Sequence, residues 1–279
     1  MVPGNCPGWM VFLTLLFVFL VSCQVEPTLL ASPPMLSPSV TFTVIPATTT
    51  ATPLITTTIP LATPSSTPTI TPTSVPAFRL CSPLAEHQVS DLPGIVSSPY
   101  NPPPMGKDDR HQGVDFAYYN QGGRESILGE GVTAILPGWV VTVIPDRLPY
   151  GNMVILETPR ERLSAEIIQG LGIEPGESLY HLYAHFLEVP LPSPGAWVEC
   201  GDLIGQVGAT GYNIPVAHLH LETRIGPAGK RFDGMGYYDT QASESDRVNY
   251  ELWRMSGVFR HFDPMVLFMN FWLDLQEEG

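Results

Sequence analysis

Apolar and polar positions follow three different patterns along the 279-residue chain. Residues 9–22 form one apolar run of about 14 residues, too short for a membrane span of about 20 and of signal-peptide length. From 27 to 77 the apolar residues are sparse and follow neither helical nor strand periodicity, while Thr, Pro and Ser recur, as in Pro46-Ala47-Thr48-Thr49-Thr50-Ala51-Thr52-Pro53. Frequent proline removes backbone donors and blocks helix, so this stretch buries no core and reads as a disordered, semi-extended stalk. Beyond residue 115 the pattern changes to short runs at 132–135, 139–144, 153–157, 179–186, 203–207 and 218–224. Each is rich in β-branched or aromatic residues and bounded by Gly, Pro or Asn, the mark of strands joined by turns. Arg162-Leu163-Ser164-Ala165-Glu166-Ile167-Ile168 alone reads as helix-like. The expected fold class is all-β with antiparallel sheets, in a domain at 78–279 that follows a signal segment at 1–22 and a linker at 23–77.

Composition adds two constraints. The net charge of −14 falls almost wholly on the folded part, because Glu26 is the only charged side chain before Arg79. Nucleic acid is therefore not an expected partner, since phosphate binding needs a basic surface. The four cysteines separate by position. Cys6 lies in the signal segment, and Leu20-Val21-Ser22-Cys23 resembles a bacterial lipobox, in which Cys23 would carry the lipid and become the first mature residue. Residues 1–8 depart from that pattern in having no Lys or Arg. A lipid anchor of two or more acyl chains would hold the exported protein at the membrane surface. Cys81 and Cys200 remain, and two cysteines left in an exported domain are expected to pair as a disulfide.

The candidate chemistry lies in the histidines. In a strand, alternate residues share a face, so His218-Leu219-His220 aims two imidazoles at one point. Upstream, His111-Gln112-Gly113-Val114-Asp115 offers an imidazole and a carboxylate four residues apart, and Tyr183-Ala184-His185 offers another imidazole. Nitrogen and oxygen donors of this kind suit Zn²⁺.

In this order the three segments resemble the M23 family of zinc metallopeptidases, the lysostaphin-like or LytM-type peptidoglycan endopeptidases. The connecting stretches Gly138-Trp139-Val140-Val141, Tyr150-Gly151-Asn152-Met153-Val154-Ile155 and Gly201-Asp202-Leu203-Ile204-Gly205 carry the same likeness, which spans about 97–225, with Phe262-Asp263-Pro264 resembling the family's closing tail. The resemblance implies a two-layer antiparallel β domain with zinc at the floor of a groove. It implies His111, Asp115 and His220 as the ligands of one zinc ion, and His185 and His218 as the assisting histidines, one a base and the other a stabiliser of the oxyanion. It also implies peptidoglycan peptides as substrate, in the stem or the cross-bridge, with two alternatives: a non-catalytic M23-like activator of a cell-wall amidase, or a protease acting on a surface protein. Oligomeric state is not legible.

Some positions depart from the family pattern or carry a plainer reading. Asn101-Pro102-Pro103-Pro104 replaces the usual Gly-x-Arg before the first ligand. His87, His181 and His261 read as surface or satisfied core residues, with His181 sharing strand parity with Tyr183 and His185 and so able to face the groove. Tyr183 reads as half packing, half groove wall. Two insertions, 161–177 and 226–259, read equally as groove walls or as packed surface elements.

Overall fold

A computed structural model describes residues 79–271; the signal segment, Cys23, the linker and residues 272–279 lie outside the described residues. Twelve strands are described: β1 Val96–Ser98, β2 Val114–Phe116, β3 Tyr119–Gln121, β4 Arg124–Ser126, β5 Gly131–Thr133, β6 Gly138–Arg147, β7 Gly151–Pro159, β8 Glu177–Ala184, β9 Trp197–Val198, β10 Leu203–Gln206, β11 Leu219–Pro227 and β12 Arg260–Phe262. Two α-helices join them, α1 Ala165–Leu171 and α2 Glu244–Arg254. The main sheet runs β1-β2-β11-β8-β7-β6-β9 with every pairing antiparallel, and β12 pairs with β11 beyond the end of β2. β5 with β10 and β3 with β4 form two short accessory sheets.

Strand alternation decides what each face of the main sheet carries. Val114, Phe116, Val154, Leu156, Leu179, Tyr183, Leu219 and Leu221 point to one face and form a core with β5 and β10. Met153, Ile155, Tyr180, Leu182 and Ala184 point to the other, where Phe232, Tyr250, Trp253 and Phe259 cover them. Asp115, His220, Glu222 and Arg224 interleave with the first set, so they emerge on the second face among these aromatic residues.

The two insertions differ in role. In the first, Ser164 caps α1 by accepting from the Ile167 N–H, and Leu163, Ile167 and Ile173 join the core of the first face, away from the metal-ligand candidates. It is a packing element. The second holds α2, whose N-terminus is closed by a reciprocal pair between Ser243 and Asp246, and which lays Tyr250 and Trp253 onto the second face. Among the described residues no helix is long and apolar enough to cross a membrane.

Cys81 and Cys200 are joined across 119 residues of sequence, their Cα atoms 5.7 Å apart. Closing so long a loop restricts the unfolded chain, and its removal should cost about 3–5 kcal/mol. The Cys81→Ser, Cys200→Ser double variant is therefore expected to unfold roughly 10 °C lower than the parent in a thermal melt. An unchanged melting temperature would show that the link contributes nothing to the native state.

Candidate metal centre

β2 and β11 pair with Asp115 directly opposite His220. Side chains opposite one another on one sheet face are near neighbours, which brings this carboxylate to this imidazole. His111 stands just before β2, where its backbone carbonyl accepts from the Asn101 N–H at 2.9 Å. Gly113 lets the strands close at this point: a Cβ there would lie 2.5 Å from the Leu221 carbonyl oxygen and 2.8 Å from the His220 ring. No other residue fits without opening the pairing.

His111 Nε2 is 3.0 Å from both Asp115 Oδ1 and His220 Nδ1, and the latter two are 2.8 Å apart. Outer partners set the tautomers. His111 Nδ1–H donates to the Pro99 carbonyl at 3.0 Å, and His220 Nε2–H donates to Glu222 Oε1 at 3.1 Å. Each neutral ring therefore turns a lone pair inward, toward a carboxylate oxygen that is itself an acceptor. Three acceptors this close repel unless a cation lies among them. Tetrahedral Zn²⁺ with nitrogen and oxygen ligands at about 2.0–2.1 Å spaces its donors by about 3.3 Å, close to this triangle. The residues present thus fit a zinc ion, and among the described residues this is the one His, Cys, Asp or Glu cluster with such convergence.

The charges agree with that reading. Burial opposes a proton on His220, but the carboxylates of Asp115 and Glu222 overcome it and raise the imidazole to about 9. Burial would raise Asp115, yet hydrogen bonds from His111 and His220 hold it far below the usual carboxylate range. A proton and a metal compete for one place, so metal binding releases a proton.

His185 lies one residue past β8. Alternation would send it to the face of Tyr183, but its φ of 64° turns the chain, and its ring stands 4.7 Å from that of His218 and 5.7 Å from that of His220. Left-handed backbone in a non-glycine residue costs about 1–3 kcal/mol and persists only where its surroundings hold it. Here the His185 N–H donates to the Tyr150 carbonyl at 3.0 Å and Nδ1–H donates to the Thr210 carbonyl at 2.7 Å. Gly211, at φ 113°, permits that approach, since a Cβ would meet the Pro149 carbonyl at 2.4 Å and His185 Nδ1 at 3.0 Å. His218 Nδ1–H donates to the Val216 carbonyl at 3.0 Å, which leaves its Nε2 3.7 Å from Asp115 Oδ1. Both imidazoles keep Nε2 available as a proton acceptor. Burial, with His220 and His218 adding to it, lowers His185 to about 3 and keeps it neutral.

These histidines open on a cavity of about 370 Å³ walled by Tyr150, Tyr212, Tyr238, Tyr250 and Arg254. A larger cavity of about 630 Å³ lies beside His87 and Tyr118, but the buried Glu130 behind it is already satisfied by His87 Nδ1, the Tyr118 hydroxyl and the Glu86 N–H.

The structure brings His111, Asp115, His185, His218 and His220 together. It does not bring His181 or Tyr183, contrary to the parity argument for the groove. Ile135 N–H donates to the Tyr183 hydroxyl at 2.9 Å, which donates to His181 Nδ1 at 2.9 Å; His181 Nε2–H donates to Thr158, whose hydroxyl ends on the Pro137 carbonyl. This closed chain lies in the buried core, where burial lowers His181 to about 3. Tyr183 is accordingly a core residue and not a groove wall, because the turn at His185 reverses the parity that would have linked them. His261 pairs with the Tyr100 hydroxyl at 2.5 Å.

Residues that the motifs did not flag surround His220. Glu222, fully buried, accepts from His220, Tyr150, Arg254, Arg224 and Trp253. Its position was readable, for His218, His220, Glu222 and Arg224 alternate along one strand face. Nothing local marked Asp108 or Arg254.

The convergent donors of His111, Asp115 and His220 are a set that could hold a metal ion, with the imidazoles of His185 and His218 beside it. The chain carries a peptidase M23 domain: residues 109–233 match the family model described as Peptidase family M23. No curated protein sequence matches the chain. Among solved structures, the catalytic domain of the antimicrobial peptidase lysostaphin from Staphylococcus simulans is similar at 27% identity, covering 50% of this chain and 87% of that one with a TM-score of 0.34. A mutant catalytic domain of the prophage-encoded M23 protein EnpA from Enterococcus faecalis is similar at 21% identity, covering 48% and 82%, with a TM-score of 0.34. A zinc-containing peptidase from Vibrio cholerae is similar at 23% identity over 46% of this chain and 32% of that one, with a TM-score of 0.32.

Proposed function

We propose that this protein is an exported zinc-dependent endopeptidase that hydrolyses peptide bonds in the stem or cross-bridge peptides of peptidoglycan. The observation that carries the reading is the convergence of three acceptor atoms, on His111, Asp115 and His220, beside two imidazoles whose Nε2 atoms are unclaimed. Within the M23 domain, that arrangement supports peptide hydrolysis more directly than a binding role. A zinc ion held there supplies Lewis acidity and makes a nucleophile available from water near neutral pH. The chain's own groups do the rest. One of His185 and His218 accepts on Nε2 the proton of the attacking water and returns it to the leaving amine; the other, its Nδ1–H already given to a carbonyl, must carry a second proton on Nε2 to donate to the oxyanion that develops on the carbonyl. Their Nδ1–H bonds to the Thr210 and Val216 carbonyls fix ring orientation, so little reorganisation is needed during the reaction. Leu20-Val21-Ser22-Cys23 and the uncharged stalk support attachment to the membrane by a lipid on Cys23.

The test is digestion of purified sacculi, with mass spectrometry of the released muropeptides. New amino termini within stem or bridge peptides, abolished by a chelator and restored by Zn²⁺, are expected. A zinc-loaded protein that cleaves no sacculus but does cleave a surface protein would replace the substrate. A protein that holds no zinc and only stimulates an amidase would replace the activity.

A further inference from the structure

Residues beyond 233 fall outside the family match, yet one of them reaches the metal centre. We infer that α2, through Arg254, is a positioning element for the centre: one guanidinium fixes the group that holds His220 and grips the segment that carries His111. The inference deepens the proposed zinc site and rests on it.

Glu222 uses its two oxygens differently. Oε2 accepts from Arg224 Nε at 3.1 Å, Arg224 Nη2 at 2.7 Å and Trp253 Nε1 at 2.8 Å. Oε1, the oxygen that takes the His220 Nε2–H, accepts also from the Tyr150 hydroxyl at 2.7 Å and Arg254 Nη1 at 2.8 Å. Arg254 therefore acts on the site-facing oxygen, while Arg224 alone would keep the buried carboxylate paired. The same guanidinium turns to the other ligand segment. Its Nε donates to Asp108 Oδ1 at 2.5 Å and its Nη2 donates to the Arg110 carbonyl at 3.3 Å, flanking the approach to His111. Asp108 is held in turn by the hydroxyls of Tyr250, at 2.5 Å, and Tyr238, at 3.2 Å.

The result is a line of alternating charge, Arg224, Glu222, Arg254 and Asp108, that runs from buried β11 to the residues before β2 and ends on the cavity wall, which Arg254 and Asp108 line. Only a planar fork makes these contacts at once, which an ammonium cannot do. Partners of this type, one step out from a ligand, fix ring orientation and ligand basicity, and their loss costs about 10–100-fold in metal affinity or activity.

The experiment measures zinc dissociation from the full chain by competition with a chromogenic chelator, together with the visible spectrum of the Co²⁺-substituted protein. Arg254→Met should weaken zinc binding by about 10–100-fold and shift the cobalt bands, with Arg254→Lys intermediate. Asp108→Asn, nearly isosteric, should weaken binding in the same direction. If Arg254 serves packing alone, Arg254→Met will lower the melting temperature of the metal-free protein but leave zinc affinity and the cobalt spectrum of the folded protein unchanged, which overturns the inference. Should Arg254→Met not fold, unchanged zinc affinity in Asp108→Asn overturns it equally. A wild-type chain that takes up no zinc overturns the metal centre and the inference together, and is told apart because it fails before any substitution is made.

Discussion

Alanine at His111, Asp115 or His220 is expected to strip the purified protein of zinc and reduce peptide hydrolysis to background. A catalytic zinc has three protein ligands and one open place, so losing one ligand leaves two and an ion that water competes for. The fall in affinity should exceed the 10–100-fold typical of losing an outer hydrogen-bond partner. Asp115 is the sharpest case, because it is the one carboxylate among the three donors and its charge draws the cation. Asp115→Asn keeps the shape and removes the charge, and should lose metal as well. Metal analysis beside far-UV circular dichroism decides the matter. A His220→Ala protein with a full complement of zinc and full activity would remove the ligand assignment.

The strands that could be read in the chain are those long enough to alternate, together with β5 and β10, which are short but fall in the apolar runs at 132–135 and 203–207 between glycine or proline residues. β6, β7, β8 and β11 were legible, because each runs through several Val, Ile, Leu or Tyr positions between turn residues. β1, β2, β3, β4, β9 and β12 span two or three residues and have no period to detect; tertiary pairing makes them. The helix around residues 165–171 was visible as a helix-like stretch, whereas α2, rich in charged and polar residues, was not marked within the 226–259 insertion. Within the site the metal ligand candidates were legible because motif spacing and strand parity agree: Asp115 faces His220 across one ladder, and His218 and His220 share a face. His185 was legible as a motif but not by parity, since a left-handed φ is not written in the identity of a histidine. Asp108 and Arg254 meet across 146 residues, a separation at which no local pattern pairs them.

Removing either assisting imidazole should separate metal from chemistry. His185→Ala and His218→Ala are expected to keep one zinc per chain and to lose turnover by about 10²-fold or more, the scale of a general base or an oxyanion donor. Neither side chain belongs to the donor triangle: the His218 Nε2 stands 3.7 Å from Asp115 Oδ1, and the His185 ring is 5.7 Å from that of His220. Their Nδ1 bonds run outward to the Thr210 and Val216 carbonyls, so truncation withdraws a proton acceptor and leaves the ligands their own partners. The loss should fall on kcat more than on KM, because these groups act on charge that develops in the transition state. The two substitutions should also be far from additive, since proton transfer and oxyanion stabilisation belong to one step. Zinc analysis with steady-state kinetics on a soluble peptide separates the outcomes. If either variant loses zinc as readily as His220→Ala, that histidine is a ligand and the division between metal binding and proton transfer must be redrawn.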